Sequence, residues 1–260
     1  MTELIATVEH ASQWAHRRRV PEASWNPVYR ALAGGTAPTR LPASSELTDD
    51  ADLELVLAQL TTPALLSVAV TDGEQTHRLR IGLDAVAATV EEAAADLPSR
   101  WSELSTPEVP ARIIRLLEDS GVDLAPAELS IKHGANALRL SPAQSRIAYT
   151  ALTQGVSPEG AFAAIPDLDD TLRDALTATG PRISLALTLH DPRGRVTERP
   201  VTWSRLWVTG TNGLYRLDLP ARPAPAVHRV GGGDVLGTLL PVLAQGIRFA
   251  AACAAAGGAR

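Results

Sequence analysis

The chain has 260 residues, of which 45% are hydrophobic, 20% charged and only 4% aromatic, so it can bury a substantial core of Ala, Val and Leu in one large domain or in two small ones that share an interior. Its net charge of −5 argues against generic nucleic-acid binding, which needs a basic face to replace phosphate counterions. A single cysteine, Cys253, excludes an internal disulfide and reads as a small apolar packing residue, with no oxidising compartment implied.

Residues 2–18 present Leu4, Ile5, Val8, Ala11 and Ala15 at helical spacing. His16-Arg17-Arg18-Arg19 then fits the positive end of that helix, where cations complement the dipole. The opening Met1-Thr2-Glu3-Leu4-Ile5 lacks the basic segment and apolar run of a signal peptide. Residues 33–48 are rich in Gly, Pro, Ser and Thr and read as a loop, followed by a helix over Asp50 to Leu60. Leu66 to Thr71 alternates large apolar with small or polar residues, as a strand with one buried face does. Asp72-Gly73 turns the chain into a return strand, Thr76 to Leu83, and a helix is expected from Asp84 to about Asp96.

Thr106-Pro107-Glu108 opens another helix by the logic of cap, proline and acid, with Ile113, Ile114, Leu116 and Leu117 on its apolar face and Gly121 at its end. Leu129 to Leu140 reads as a second hairpin reversing at His133 to Asn136, and Ser141-Pro142 and Ser157-Pro158 each start a helix. Asp167-Leu168-Asp169 leads a helix to Thr179, and Ile183 to Thr188 forms a strand. Asp191-Pro192-Arg193-Gly194 turns the chain into a strand over Val201 to Thr209 carrying Trp203 and Trp207, which point the same way at a spacing of four. Asn212-Gly213 turns again to Leu214–Leu219, and Val227 to Val230 reads as a short edge strand or loop. A last helix starts at Asp234 with Leu236, Leu240, Leu243 and Ile247 in one stripe, and Pro241 inside it predicts a kink or break. The apolar run Val235 to Ala256 is interrupted by Pro241, Gln245, Gly246 and Arg248, so no membrane insertion and a cytoplasmic protein are expected.

The strands at 66–71 and 183–188 match at all six positions: aliphatic, Ser, aliphatic, Ala, aliphatic, Thr. Each follows an Asp-Leu-acid helix opening and a proline near the turn (Pro63, Pro181). The expected fold is therefore α+β. A central antiparallel sheet is made of two helix-hairpin units related by a pseudo-twofold axis, with packed helices forming a bundle. The whole chain, 1–260, forms one domain: an N-terminal helix and loop over 1–48, a first unit at about 50–125 and a second at about 160–250.

Motifs that would carry catalysis fail on spacing. Gly231-Gly232-Gly233-Asp234 opens a helix, but a dinucleotide loop would need glycine at 236, where Leu236 stands. No two of the six histidines lie at the i, i+4 spacing of a helical metal pair, and no Gly-x-Ser-x-Gly elbow occurs. Asp49-Asp50 and Asp169-Asp170 sit at helix starts, where carboxylates cap. The expectation is a protein that is not an enzyme and holds no cofactor or metal. The alternatives are a small cytosolic hydrolase or transferase with a dispersed active site, and a structural subunit of an assembly.

Residues 165–245 resemble the EspG family, the secretion-associated chaperones of actinobacterial type VII (ESX) systems. Three features carry the resemblance: the helix, strand, turn and strand of Leu172 to Trp207; the stretch Thr211-Asn212-Gly213-Leu214-Tyr215-Arg216-Leu217; and the strand and leucine-rich helix of Val227 to Leu243. The resemblance implies a cytoplasmic protein that binds a helical type VII substrate, a PE–PPE-like heterodimer or a relative, and keeps it soluble for export. The corresponding candidate surface lies where the second unit's sheet meets the C-terminal helix. Trp203, Trp207, Leu243 and Ile247 would contact the partner there, with Arg193, Gly194 and Arg195 on the rim.

Overall fold

The computed structural model describes residues 15, 19–34, 50–94, 97–128, 137–218 and 226–258. Most of the expected helix over 2–18 and loop over 33–48, and the turn at 133–136, lie outside these residues.

The described chain is one mixed α/β architecture around a single eight-stranded antiparallel sheet. A short helix α1 (Pro27–Gly34) and α2 (Asp50–Leu60) lead into a meander of β1 (Ala64–Asp72), β2 (Gln75–Leu83), β3 (Ala87–Ala94) and β4 (Leu97–Ser105), which ends in α3 (Val109–Asp119). Three helices follow, α4 (Pro142–Thr153), α5 (Pro158–Ala163) and α6 (Asp170–Leu176). A second meander, β5 (Arg182–Leu189), β6 (Val201–Gly210), β7 (Gly213–Asp218) and β8 (Ala226–Val230), ends in α7 (Asp234–Gly258). The strand order β4-β3-β2-β1-β5-β6-β7-β8 joins the meanders through an antiparallel β1–β5 pair at the centre.

Alternation sorts the strand residues onto two faces. Leu66, Val68 and Val70 of β1, Leu79, Ile81 and Leu83 of β2, and Ile183, Leu185 and Leu187 of β5 share the front face with Trp207, where α3 and α7 complete the main core. The back face carries two smaller clusters. Trp25, Tyr29, Val56, Leu57, Leu60 and Leu65 pack α1 and α2 over the first meander. Phe162, Ile165, Leu172, Val208 and Tyr215 pack the α4–α6 layer over the second.

Several expected boundaries hold. Ser141 caps α4 through Gln144 N, Ser157 caps α5 through Gly160 N, and Asp169 caps α6 through Thr171 N and Leu172 N. Gly73 takes φ +56° in the first hairpin turn and Gly121 takes φ +74° after α3. Ser105 rather than Thr106 opens a 3-10 turn over Thr106–Glu108 that leads into α3, its side chain and backbone N–H bonded to Glu108.

The helix expected over Asp84 to Asp96 is wrong: this stretch holds β3, and β4 follows it. Alanine and glutamate favour a helix in isolation, but β2 offers an open edge, and pairing puts Ala88 and Val90 into the core while Glu91 lands beside Arg80. The second hairpin expected over Leu129 to Leu140 lies mostly outside the described residues; of its described part, Leu138 makes an isolated bridge to Val227 and lies against the outer edge of β8. Pro241 neither ends nor divides the last helix, which runs continuously for 25 residues.

Candidate functional site

In the middle of the back face, the strand positions that would normally be large are small. The β1–β5–β6 register sets Ala69 beside Ser184, and Ser67 beside Ala186 and Ser204. Their front-facing neighbours Val68, Val70, Leu185 and Leu187 are large and buried. Helix α2 packs over β2, β3 and β4, and α6 over β6 and β8, so the helices cover the flanks. Ser184 is exposed although it lies on a central strand paired on both sides, and Ser67, Ala69, Ala186 and Ser204 are half-buried. The result is a shallow floor of serines and alanines between helical walls, onto which another backbone can come close.

One border of this floor is charged. Arg80 of β2 is buried, donates to Glu91 at 3.1 Å and lies 6.0 Å from the centre of the Tyr29 ring. Arg78, which pairs opposite Ala69 as Arg80 does opposite Ser67, reaches Glu91 only at 3.8 Å. Its Nε has no hydrogen-bond partner, and burial together with the Arg80 charge lowers its pKa. Ser99 completes the acceptor set of Glu91 at 3.1 Å. Tyr29, hydrogen-bonded to Gln59 at 2.5 Å, has its hydroxyl pKa pushed up by burial and by Glu91. Across the floor, Arg182 is exposed and holds the Ala178 carbonyl at 3.2 Å.

The residues singled out in the sequence fall elsewhere, and two of them are not surface. Trp207 is 0% exposed and donates its indole N–H to Asp234 at 2.9 Å. Leu243 is 3% exposed in the main core. Neither can touch a partner in this conformation. Trp203 is half-buried on the same front face, with the Arg205 guanidinium 4.7 Å from its ring centre. Ile247 is half-buried against the core. Arg193, Gly194 and Arg195 are exposed at the C-terminal end of α7, where Arg195 donates to the Ala256 carbonyl. A cation there satisfies an orphan carbonyl and complements the helix dipole. The carboxylate of Asp191 shapes this loop by accepting the backbone N–H groups of Arg193, Arg195 and Val196.

The glycine run before α7 also has a packing reason. The 123–128 segment crosses it so closely that a Cβ on Gly233 would meet the Pro126 carbonyl at 2.3 Å, and one on Gly237 would meet that of Glu128 at 2.0 Å. Asp234, inside the first turn, is 4% exposed and accepts from Arg216 at 2.8 Å. Arg205 and His228 converge beside them on Asp218. A cleft of about 310 Å³ opens at the end of α2, lined by Thr61, Thr62, Thr89, Asp84 and Glu103 among others. Among the described residues no group of three or more His, Cys, Asp or Glu side chains is placed to hold a metal ion.

Sequence reasoning missed the floor. Its only signal is that Ser67-Val68-Ala69 and Ser184-Leu185-Ala186 put small residues on one face of both central strands, a pattern that marks a repeat as readily as a surface. A scan of protein-family models finds no match to the chain, and a search of curated proteins finds none either.

Proposed function

We propose that the protein is a cytoplasmic chaperone without catalytic activity. It binds a helical protein destined for export, a PE–PPE-like substrate of a type VII system or a relative, and keeps it soluble. The observation that carries this reading is the centre of the sheet, which the described helices leave uncovered. Ser184 is exposed on a strand where a stable monomer would ordinarily bury its side chain, and the small floor leaves room for a helix between two helical walls. An apolar tip on a partner would aggregate in water, and covering it here removes it from solvent. The docking surface moves with this reading from the second unit's junction with α7 to the back face, because Trp207 and Leu243 are buried.

The same reading takes the two meanders as duplicated units related by a local two-fold. Support comes from the register. The six-position match makes Val68 equivalent to Leu185, and these two residues pair with each other across the β1–β5 contact. A residue that faces its own equivalent is what an isologous contact produces. The order helix, four strands, helix runs α2–β1–β2–β3–β4–α3 and again α6–β5–β6–β7–β8–α7.

Affinity purification from the native cell, with identification of bound proteins, names the partner. Ser184→Trp and Ala69→Trp then fill the floor without touching the core. Binding of that partner should fall at least about tenfold, while Leu240→Asp on the outer side of α7 leaves it unchanged. Full binding by folded Ser184→Trp protein overturns the reading.

A further inference from the structure

We infer that the segment docking on this floor is an acidic amphipathic helix whose carboxylates meet Arg78 and Arg182. The inference rests on the reading of the back face as a docking surface and adds the partner's chemistry. At the back-facing positions of β1, β2, β3, β5 and β6, the described residues hold three guanidiniums, Arg78, Arg80 and Arg182, and one carboxylate, Glu91. That local excess of positive charge stands on a chain whose net charge is −5. Glu91 is committed to Arg80 at 3.1 Å and reaches Arg78 only at 3.8 Å, so Arg78 is the under-neutralised cation. On the α6 wall Asp174 is engaged by the β6–β7 turn and Tyr215, and the other back-facing carboxylate of the first meander, Glu103 of β4, lies two strands beyond Arg78.

The spacing selects a helix. Arg78 lies opposite Ala69, which lies opposite Ser184, and Arg182 is two residues from Ser184 on β5. Two strand spacings of about 4.8 Å and one two-residue step of about 6.8 Å put the two arginine Cα atoms about 12 Å apart. Carboxylates two turns apart on one helix face, at i and i+7, are separated by about 10.5 Å. Small side chains at Ala69 and Ser184, between the arginines, let the helix settle close to the sheet. Charge pairs at such a border raise association rate and set register.

The test uses the full chain and two stapled helical peptides of about 15 residues. They are identical in an Ala/Leu background except for Glu or Gln at positions i and i+7. The Glu peptide should bind about tenfold more tightly than the Gln peptide at low salt, and the gap should narrow to about threefold or less at high salt. Arg182→Gln, at an exposed position, should remove most of the preference, and adding Arg78→Met should remove the rest. Equal affinities for the two peptides, no binding of either at about millimolar concentration, or a preference that survives the Arg182→Gln, Arg78→Met protein overturns the acidic-helix inference. So does a short DNA duplex that binds as tightly as the Glu peptide. Ser184→Trp separates the two levels. If it abolishes both peptides while they bind wild type equally, the floor stands and the charge argument fails. If it leaves Glu-peptide binding intact, the floor itself is the wrong surface.

Discussion

Asp174 shows how much one surface carboxylate can organise. From α6 it accepts the backbone N–H groups of Thr211 at 2.9 Å and Asn212 at 2.8 Å and the Tyr215 hydroxyl at 2.7 Å, tying a helix to a turn nearly forty residues downstream. Those donors, Tyr215 first, pull its pKa from 3.8 to about 2, while burial and Asp174 push Tyr215 up to about 12. A carboxylate depressed in the folded state contributes stability that is present above its unfolded value and is lost as pH falls through its folded value. The contribution of Asp174 is therefore complete above about pH 4 and fades toward pH 2. Asp174→Asn should lower Tm at pH 7 by about 3 °C or more, and the gap to wild type should close as melts are repeated down to pH 2. A gap independent of pH would assign the effect to shape rather than charge. Deeper in the molecule, Arg80–Glu91 and Arg216–Asp234 are buried ion pairs. Their net worth against an apolar core is small, but removing one partner strands the other charge; the first pair joins β2 to β3, and the second joins β7 to the start of α7.

At the scale of elements, α7 keeps most of the expected stripe and adds a glycine to it. Leu243 is buried and Leu236 and Ile247 pack against the main core, but Leu240 is 41% exposed, and Val235, Leu239, Val242 and Ala250 complete the buried face. Gly246 lies against β1, β2 and β5. A Cβ there would meet Leu83 Cδ1 at 2.6 Å and Leu187 Cδ1 at 3.2 Å. Large residues mark apolarity, but the closest approach falls where the side chain is absent. Among the described residues α7 alone is long and apolar enough to cross a membrane by length and composition, with 28% of that window buried, and its inner stripe belongs to the main core. Gly246→Val should cost about 1–3 kcal/mol by overpacking, read as a lower urea midpoint, while Gln245→Ala at the exposed neighbouring position should change little. Equal midpoints would mean that the helix can lift off the sheet at no cost. The other element-scale lesson is β3, where a helix-forming composition yields to an open strand edge that needs pairing.

For the whole molecule, the joined meanders place the chain's two most similar strands side by side at its centre. Each meander then runs outward to an edge, and the β8 edge is met by the Leu138 backbone. An experimental structure should superpose β1–β4 with α3 on β5–β8 with α7 by a rotation within about 20° of 180° about an axis through the Val68–Leu185 pair, a tolerance set by ordinary sheet twist. A rotation far from that value, or a best superposition that pairs other residues, would make the six-position match a coincidence of alternating strands.

The sequence by itself determined the local grammar. Alternation marked β1 and β5, turn residues set off β2, β6 and β7 and left β8 between a short edge strand and a loop, Ser-Pro pairs began α4 and α5, Asp169 capped α6, and Asp72-Gly73 turned the first hairpin, because each depends on residues within a few positions of one another. It also showed that β1 and β5 are alike, though not that they pair. What only the tertiary structure decided is everything set by a distant partner. The Ala- and Glu-rich 87–94 stretch becomes a strand because β2 lies beside it, α7 sets Gly246 against Leu83 and Leu187, and Trp207 and Leu243 are consumed by the core. The candidate site belongs to this second class. Ser67, Ala69, Ser184 and Ala186 form a surface only once two strands more than a hundred residues apart pair in the register that aligns them, and no local pattern encodes which faces the helices leave uncovered.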